Sequence, residues 1–221
     1  MSKKISGELH FDADPATVYA MVSDQAYVQE KNERTGGQNV KADVTDNGAD
    51  GCKIVVSRDL PAEIPAFAKK FVGEQISTVQ TDEWGPANDD GSYSAKFHVD
   101  FGKAPMVIDG TMAIDTEGAG SVLRVNADVK ASVPFVGGKL EGVAAEQFDR
   151  AVRKEQEVGA EWLTREFTES SAANRLPSGS AVRFSADVGE VVWPNVVGVA
   201  KCLHARAQAR LQHVDAATDI H

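Results

Sequence analysis

Val133-Pro134-Phe135-Val136-Gly137-Gly138-Lys139-Leu140 opens a segment that closes with Glu161-Trp162-Leu163-Thr164-Arg165-Glu166-Phe167. Pro134 and the Gly137-Gly138 pair break the extended run before it. From Lys139 the hydrophobic period changes from two to about 3.6. Leu140, Ala144, Phe148, Ala151, Val158 and Trp162 then share one helical face, and Glu141, Asp149, Arg153 and Gln156 share the other. Glu146/Arg150, Asp149/Arg153 and Glu161/Arg165 are spaced i,i+4 in the favourable order, each pair worth roughly 0.2–0.5 kcal/mol. A helix over residues 139–167 is about 40 Å long at the usual rise per residue. A helix of that length needs a broad apolar surface to lie on.

The chain upstream supplies one. Ile5, Gly7, Leu9 and Phe11 alternate with Lys4, Ser6, Glu8 and His10, the pattern of a half-buried strand with His10 facing solvent. Asp14-Pro15 is an N-cap followed by a proline at the first helical position, with Val18, Tyr19 and Val22 as the apolar stripe. Ser23-Asp24 starts a second short helix through Ala26, Tyr27 and Val28, and Gly36-Gly37 ends it. Strand patterns follow at Val40/Ala42/Val44 and Cys52/Ile54/Val56. Between them, Asp46–Gly51 has the outline of a calcium loop, but Gly48 stands at the third ligand position and Ser57 where the closing Glu belongs. A hairpin turn is the better reading.

Residues 60–71, with Pro61, Pro65, Phe67 and Phe71, read as a short helix or ordered loop over one end of the sheet. Residues 74–84 read as a strand whose inner face the pattern does not define. Tyr93, Ala95, Phe97, Val99 and Phe101 alternate with Ser94, Lys96, His98 and Asp100, so His98 also points outward. Met106, Ile108, Met112 and Ile114 share a face, with Gly110 as a bulge or close-approach point. Leu123 to Val133 alternates once more. One strand, two short helices, about six strands and a long helix make an antiparallel sheet with one face to cover. The long helix is the obvious cover, and a curved sheet gripping one helix leaves room between them for a ligand.

This order of elements, with Asp14-Pro-Ala-Thr-Val-Tyr-Ala-Met-Val-Ser-Asp24 after the first strand, resembles the START-like, birch-pollen-allergen-like and polyketide-cyclase superfamily, the α+β helix-grip fold. Leu60-Pro61-Ala62, Lys70-Phe71-Val72-Gly73, Glu83-Trp84, Gly110-Thr111-Met112, Val136-Gly137-Gly138-Lys139 and Glu161-Trp162-Leu163 are similar to an uncharacterised family within it, DUF2505. The resemblance covers about residues 1–167. It implies a cavity for apolar or amphipathic ligands such as lipids, sterols or polyketides, in a superfamily of binders, transporters, cyclases and chaperone activators. None of the superfamily's catalytic motifs is present to carry across.

Residues 168–221 lie outside that pattern. Ser170-Ser171-Ala172-Ala173-Asn174 and Pro177-Ser178-Gly179-Ser180 read as linker, and residues 196–214 space Val199, Leu203, Ala207 and Leu211 about a helical turn apart. The tail reads as a weakly ordered extension. His204, His213 and His221 lack metal-ligand spacing.

Composition narrows the function classes. A formal charge of −10 over 221 residues argues against non-specific nucleic-acid binding and against attraction to an anionic membrane. No apolar run is long enough to cross a bilayer, the opening Met1-Ser-Lys-Lys-Ile-Ser-Gly-Glu8 lacks the apolar core of a signal peptide, and Cys52 and Cys202 stand far apart. The expectation is a cytoplasmic protein without a structural disulfide, metal or cofactor. There is no P-loop and no Gly-x-Ser-x-Gly elbow.

The cavity candidates are therefore the inward residues Tyr93, Phe97, Val99, Met106, Ile108, Met112, Val125, Val129, Phe148, Val152 and Trp162, together with polar residues that share inward faces. Of those, Arg58 follows the parity of Cys52/Ile54/Val56, Glu155 sits in the apolar seam of the long helix, and Thr78 and Gln80 lie nearby. The leading expectation is a non-enzymatic binder of a small apolar or amphipathic molecule, with a cavity of several hundred Å³. One alternative is a protein-interaction module with a filled core. Another is a cyclase- or hydrolase-like enzyme in which at least two of Arg58, Tyr93 and Glu155 converge.

Overall fold

The alternation in the sequence becomes seven strands in a computed structural model, which describes residues 2–61, 65–67, 69 and 75–173, with side chains through residue 168. In chain order they are β1 (Lys3–Phe11), β2 (Gln38–Asp46), β3 (Cys52–Pro61), β4 (Gln75–Trp84), β5 (Tyr93–Asp100), β6 (Met106–Glu117) and β7 (Gly120–Ala131). Helices α1 (Pro15–Val22) and α2 (Gln25–Arg34) connect β1 to β2, and α3 (Gly137–Ala173) follows β7. The strands form one antiparallel sheet in the order β1-β7-β6-β5-β4-β3-β2. β1 and β2, neighbours in sequence, are thus the two edges. The sheet curves around α3, which lies against β1, β7 and α2.

Local chemistry accounts for the short helices. The Asp14 carboxylate accepts from Thr17 N at 2.9 Å, and Asp24 accepts from the backbone N–H groups of Ala26 and Tyr27. Each aspartate satisfies donors that the first helical turn leaves free. The Asp46–Gly51 stretch is the β2–β3 hairpin turn, with Gly48 and Gly51 at positive φ. Most of 60–74 lies outside the described residues, and so does 174–221, including the helical spacing expected at 196–214.

The long helix departs from its expected outline in three ways. It begins at Gly137 and runs to Ala173, through Ser170-Ser171-Ala172-Ala173. Ala151 is exposed while Val152 packs inward, and Glu141, expected on the outer face, is buried and accepts from Ala131 N. Glu161 and Arg165 do not pair with each other. They reach α2, where Arg34 binds Glu161 at 2.6 Å and Arg165 binds Glu30 at 2.8 Å. An i,i+4 rule concerns an isolated helix, and a second helix alongside offers competing partners.

Both sheet edges are finished by glutamine amides. Gln156 of α3 donates to His10 O and accepts from His10 N on β1, each at 2.6 Å. Gln25 and Gln29 of α2 do the same for Ala42, Val44 and Val40 on β2. A primary amide presents the donor–acceptor pair of a peptide group, so these side chains occupy part of each open edge.

Two apolar clusters fill the space between sheet and helices. The larger gathers Leu9, Phe11, Val18, Tyr27, Trp84 and Val158 beneath α1 and α2. The smaller joins Ile5, Val99, Ile108, Ala127, Val129 and Ala145 under the start of α3. Gly110 is a close-approach point without a bulge, since β6 keeps continuous register with β5 and β7 around it. A Cβ there would lie 2.5 Å from both Asn126 O and the Phe97 ring.

Candidate functional site

The inner face of β4 reads Thr78, Gln80, Asp82, Trp84, and three of these four are polar. Cross-strand pairing sets Arg58 opposite Thr78, Val56 opposite Gln80 and Ile54 opposite Asp82. On α2 the stripe that starts with Tyr27 and Val28 continues one turn later as Lys31 and Asn32. The curl of the sheet brings α2 over β3 and β4, and α3 closes the side with Glu155. The result is a small cavity of about 20 Å³, lined by the polar side chains of Lys31, Asn32, Gln80, Asp82 and Glu155 and by apolar walls that include Val28, Val56, Trp84, Met112 and Leu123.

The polar groups are tied to one another. Lys31 Nζ lies 2.8 Å from Glu155 Oε1, with side chains 16% and 26% exposed. Gln80 Nε2 donates to both oxygens of Asp82, at 2.9 and 3.2 Å. Asn32 Nδ2 donates to Val28 O, and Asn32 Oδ1 accepts from Arg58 Nη1. Among the described residues, only Arg58 Nε and Ser121 Oγ are enclosed side-chain polar atoms without a hydrogen-bond partner.

The electrostatics follow from enclosure. Burial pushes the Asp82 carboxyl above the ordinary range, opposed by Lys31, the Gln80 hydrogen bond and Arg58, and reinforced by Glu155. Burial also lowers the Arg58 guanidinium, against the pull of Glu155 and Asp82. Tyr27, fully buried beside the cluster, has its phenol raised by burial and then by the Glu155 and Glu30 charges. Lys31, Asp82 and Glu155 line one enclosed volume, and the charge of Arg58 acts on Asp82 and Glu155 from behind its lining, an arrangement typical of functional sites as well as of structural networks.

Gln80, Met112 and Glu155 are the expected candidates that line the cavity, and Arg58 reaches the same cluster through Asn32. Tyr93 lies elsewhere, stacked on Tyr19 at 4.1 Å. Of the three residues whose convergence an enzyme would require, Glu155 lines this cavity, Arg58 stands behind Asn32 outside its lining, and Tyr93 does not join them. Val99 and Ile108 are buried in the smaller cluster, with Met106 packed against it, and Val125 belongs to the larger one. Phe97 covers Gly110, and Phe148 and Val152 cover Gly7. Trp162 packs edge-on against Tyr27 and carries Arg165 over its face at 5.0 Å. The expected cavity of several hundred Å³ is in this structure a void of water size, because these aromatic and branched side chains meet across the gap.

Sequence reasoning missed Lys31, Asn32 and Asp82. The signals were present: Lys31 and Asn32 stand four residues after Tyr27 and Val28, and Asp82 shares its parity with Thr78, Gln80 and Trp84. A separate open depression of about 460 Å³ marks the outer sheet face between Lys4, Ser6, Thr111 and Asn126. No helix among the described residues is long and apolar enough to cross a membrane.

Residues 6–163 match the model of a family described as "Protein of unknown function (DUF2505)". The chain belongs to this family. Among curated sequences, the uncharacterized protein Rv0481c of Mycobacterium tuberculosis is 27% identical over 123 residues, 54% of this chain and 70% of the relative. Among solved structures, TTHA0849 from Thermus thermophilus superposes with a TM-score of 0.51 at 14% identity, covering 71% of this chain and 97% of that one. A START superfamily protein from Mycobacterium smegmatis gives 0.45 at 16% identity, covering 72% and 98%. This DUF2505 chain shares the fold of TTHA0849, the helix-grip arrangement: a curved seven-stranded antiparallel sheet holding a long C-terminal helix.

Proposed function

We propose that this DUF2505 protein binds a small amphipathic molecule between its sheet and α3, with the molecule's polar group at the Lys31–Asp82–Glu155 cluster. One observation carries the reading. Ionisable and amide side chains are enclosed around a void whose other walls are apolar. A core built for stability alone does better with apolar residues in such places, because desolvating charges offsets most of what their pairing returns. Convergent polar groups in an apolar pocket are what a small-molecule site needs. The half-buried Met112, Phe148, Val152 and Trp162 supply walls able to move aside, Met112 most readily because its chain is unbranched.

The size of the void favours a second reading, a filled core in a protein-interaction module. Native mass spectrometry of protein purified from its own cells, against the denatured mass, separates the two. The binding reading expects an extra mass that denaturation releases and that a Met112→Trp variant no longer carries. No extra mass, with no uptake of an apolar fluorescent probe by the folded protein, favours the filled core.

A further inference from the structure

We infer that the polar end of the cavity is a carboxylate site, in which Arg58, held just behind the lining residue Asn32, and Lys31, which lines the cavity, receive the acid group of a small amphipathic molecule. The inference rests on the ligand-binding reading above and specifies the ligand's head group.

The argument starts from which hydrogen-bonding capacity is already used. Each acceptor group already has one partner: Asp82 has Gln80, Glu155 has Lys31, and Asn32 Oδ1 has Arg58 Nη1. The enclosed atom left over in this cluster is a donor on a cation, Arg58 Nε. An unpaired buried donor is costly, and a ligand acceptor relieves that cost. A ligand cation would instead meet carboxylates that already have partners.

The guanidinium is also held in place before any ligand arrives. Asn32 fixes Nη1, and the α2–β2 turn packs on the side-chain stem, so that a Cβ on Gly37 would lie 3.2 Å from Arg58 Cδ. Anchoring Nη1 leaves the Nε edge of the planar group for the ligand, and a guanidinium edge matches a carboxylate in two parallel hydrogen bonds. The apolar walls formed by Val28, Val56 and Leu123 suit the ligand's tail.

Calorimetric titration of the full chain with octanoate, 1-octanol and octylamine at neutral pH tests this. Octanoate is expected to bind at least about tenfold more tightly than either of the others, the size of one charged hydrogen bond. Arg58→Gln narrows that preference to within about twofold, and Arg58→Lys, which keeps the charge and loses the planar edge, retains only part of it. If Arg58→Gln does not fold, the wild-type comparison and Arg58→Lys decide. Octanol or octylamine binding as tightly as octanoate overturns the carboxylate assignment and leaves the amphipathic-ligand reading standing. Binding of none of the three overturns both.

Discussion

Lys31 of α2 and Glu155 of α3 meet at 2.8 Å inside the gap between helices and sheet, 124 residues apart in the chain. The pair fixes the position of α2 over the cavity and supplies two of its polar lining groups. Around it the α2–α3 seam is stitched by Glu30, Arg34, Glu161 and Arg165.

Breaking this pair on one side leaves its partner mostly desolvated and uncompensated. Lys31→Met and Glu155→Gln are each expected to destabilise the fold by about 1–3 kcal/mol, below the range for a fully buried pair because both side chains keep some solvent contact. The double variant Lys31→Met/Glu155→Met should recover much of the loss. Urea denaturation of the four proteins measures this, and single variants that unfold with the wild type would remove the pair from any structural role.

Asp82 gives stability a pH dependence of unusual sign for a carboxylate. Its native value is raised above the ordinary 3.8 by burial. Over the window between 3.8 and the raised native value, the folded protein holds more protons than the unfolded chain. The stability contributed by Asp82 is therefore full below that window and is lost as pH rises through it. Asp82→Asn removes the slope. The wild-type minus variant difference in unfolding free energy should fall with rising pH across that window, and a flat or rising difference contradicts the assignment.

Gly110 is required by packing. Its missing Cβ would meet Asn126 O, the Phe97 ring and Ala127 Cβ. Gly110→Ala is expected to cost about 1–3 kcal/mol, as overpacking generally does. Adding Phe97→Leu should not restore the loss, because the Asn126 carbonyl is backbone and cannot turn away. A Gly110→Ala protein with the wild-type denaturation midpoint would show that the strands separate there in solution.

Phe135, between β7 and α3, is fully exposed and sits at φ 64°. A bulky residue in the left-handed region carries about 1–3 kcal/mol of strain, and this one has no burial to offset it. Phe135→Gly relieves the strain, less the glycine's own entropic penalty. A rise in Tm of about 2–4 °C corresponds to a net gain near 1 kcal/mol in a protein of this size. An unchanged or lowered Tm would point to a conformational preference that the aromatic ring itself stabilises.

Much of the fold was legible because its signals are local. Period-two alternation marks β1, β5 and β7, the Asp14-Pro15 and Asp24 caps mark α1 and α2, and the period change near Gly137-Gly138 marks the start of α3. Local spacing also separated His10 and His98, which face outward and bind Glu117 and Asp109, from the interior. The glutamines that finish the edges carried no such mark, because Gln25, Gln29 and Gln156 read in sequence as ordinary polar residues on helix surfaces.

What the sequence by itself determined is the set of elements, their order and the apolar face of most of them, since side-chain periodicity is a property of each segment alone. Tertiary structure decided the rest. The sheet's curl set the inner face of β4 toward α2, and so made Lys31, Asn32, Asp82 and Glu155 into one cluster. It turned α3 so that Val152 and Glu141 point inward and Ala151 outward, and it sent Arg165 across to Glu30. It also reduced the expected cavity to about 20 Å³. Void volume and ion pairing depend on distances between side chains far apart in the chain, and those distances exist only once the sheet has closed around the helix.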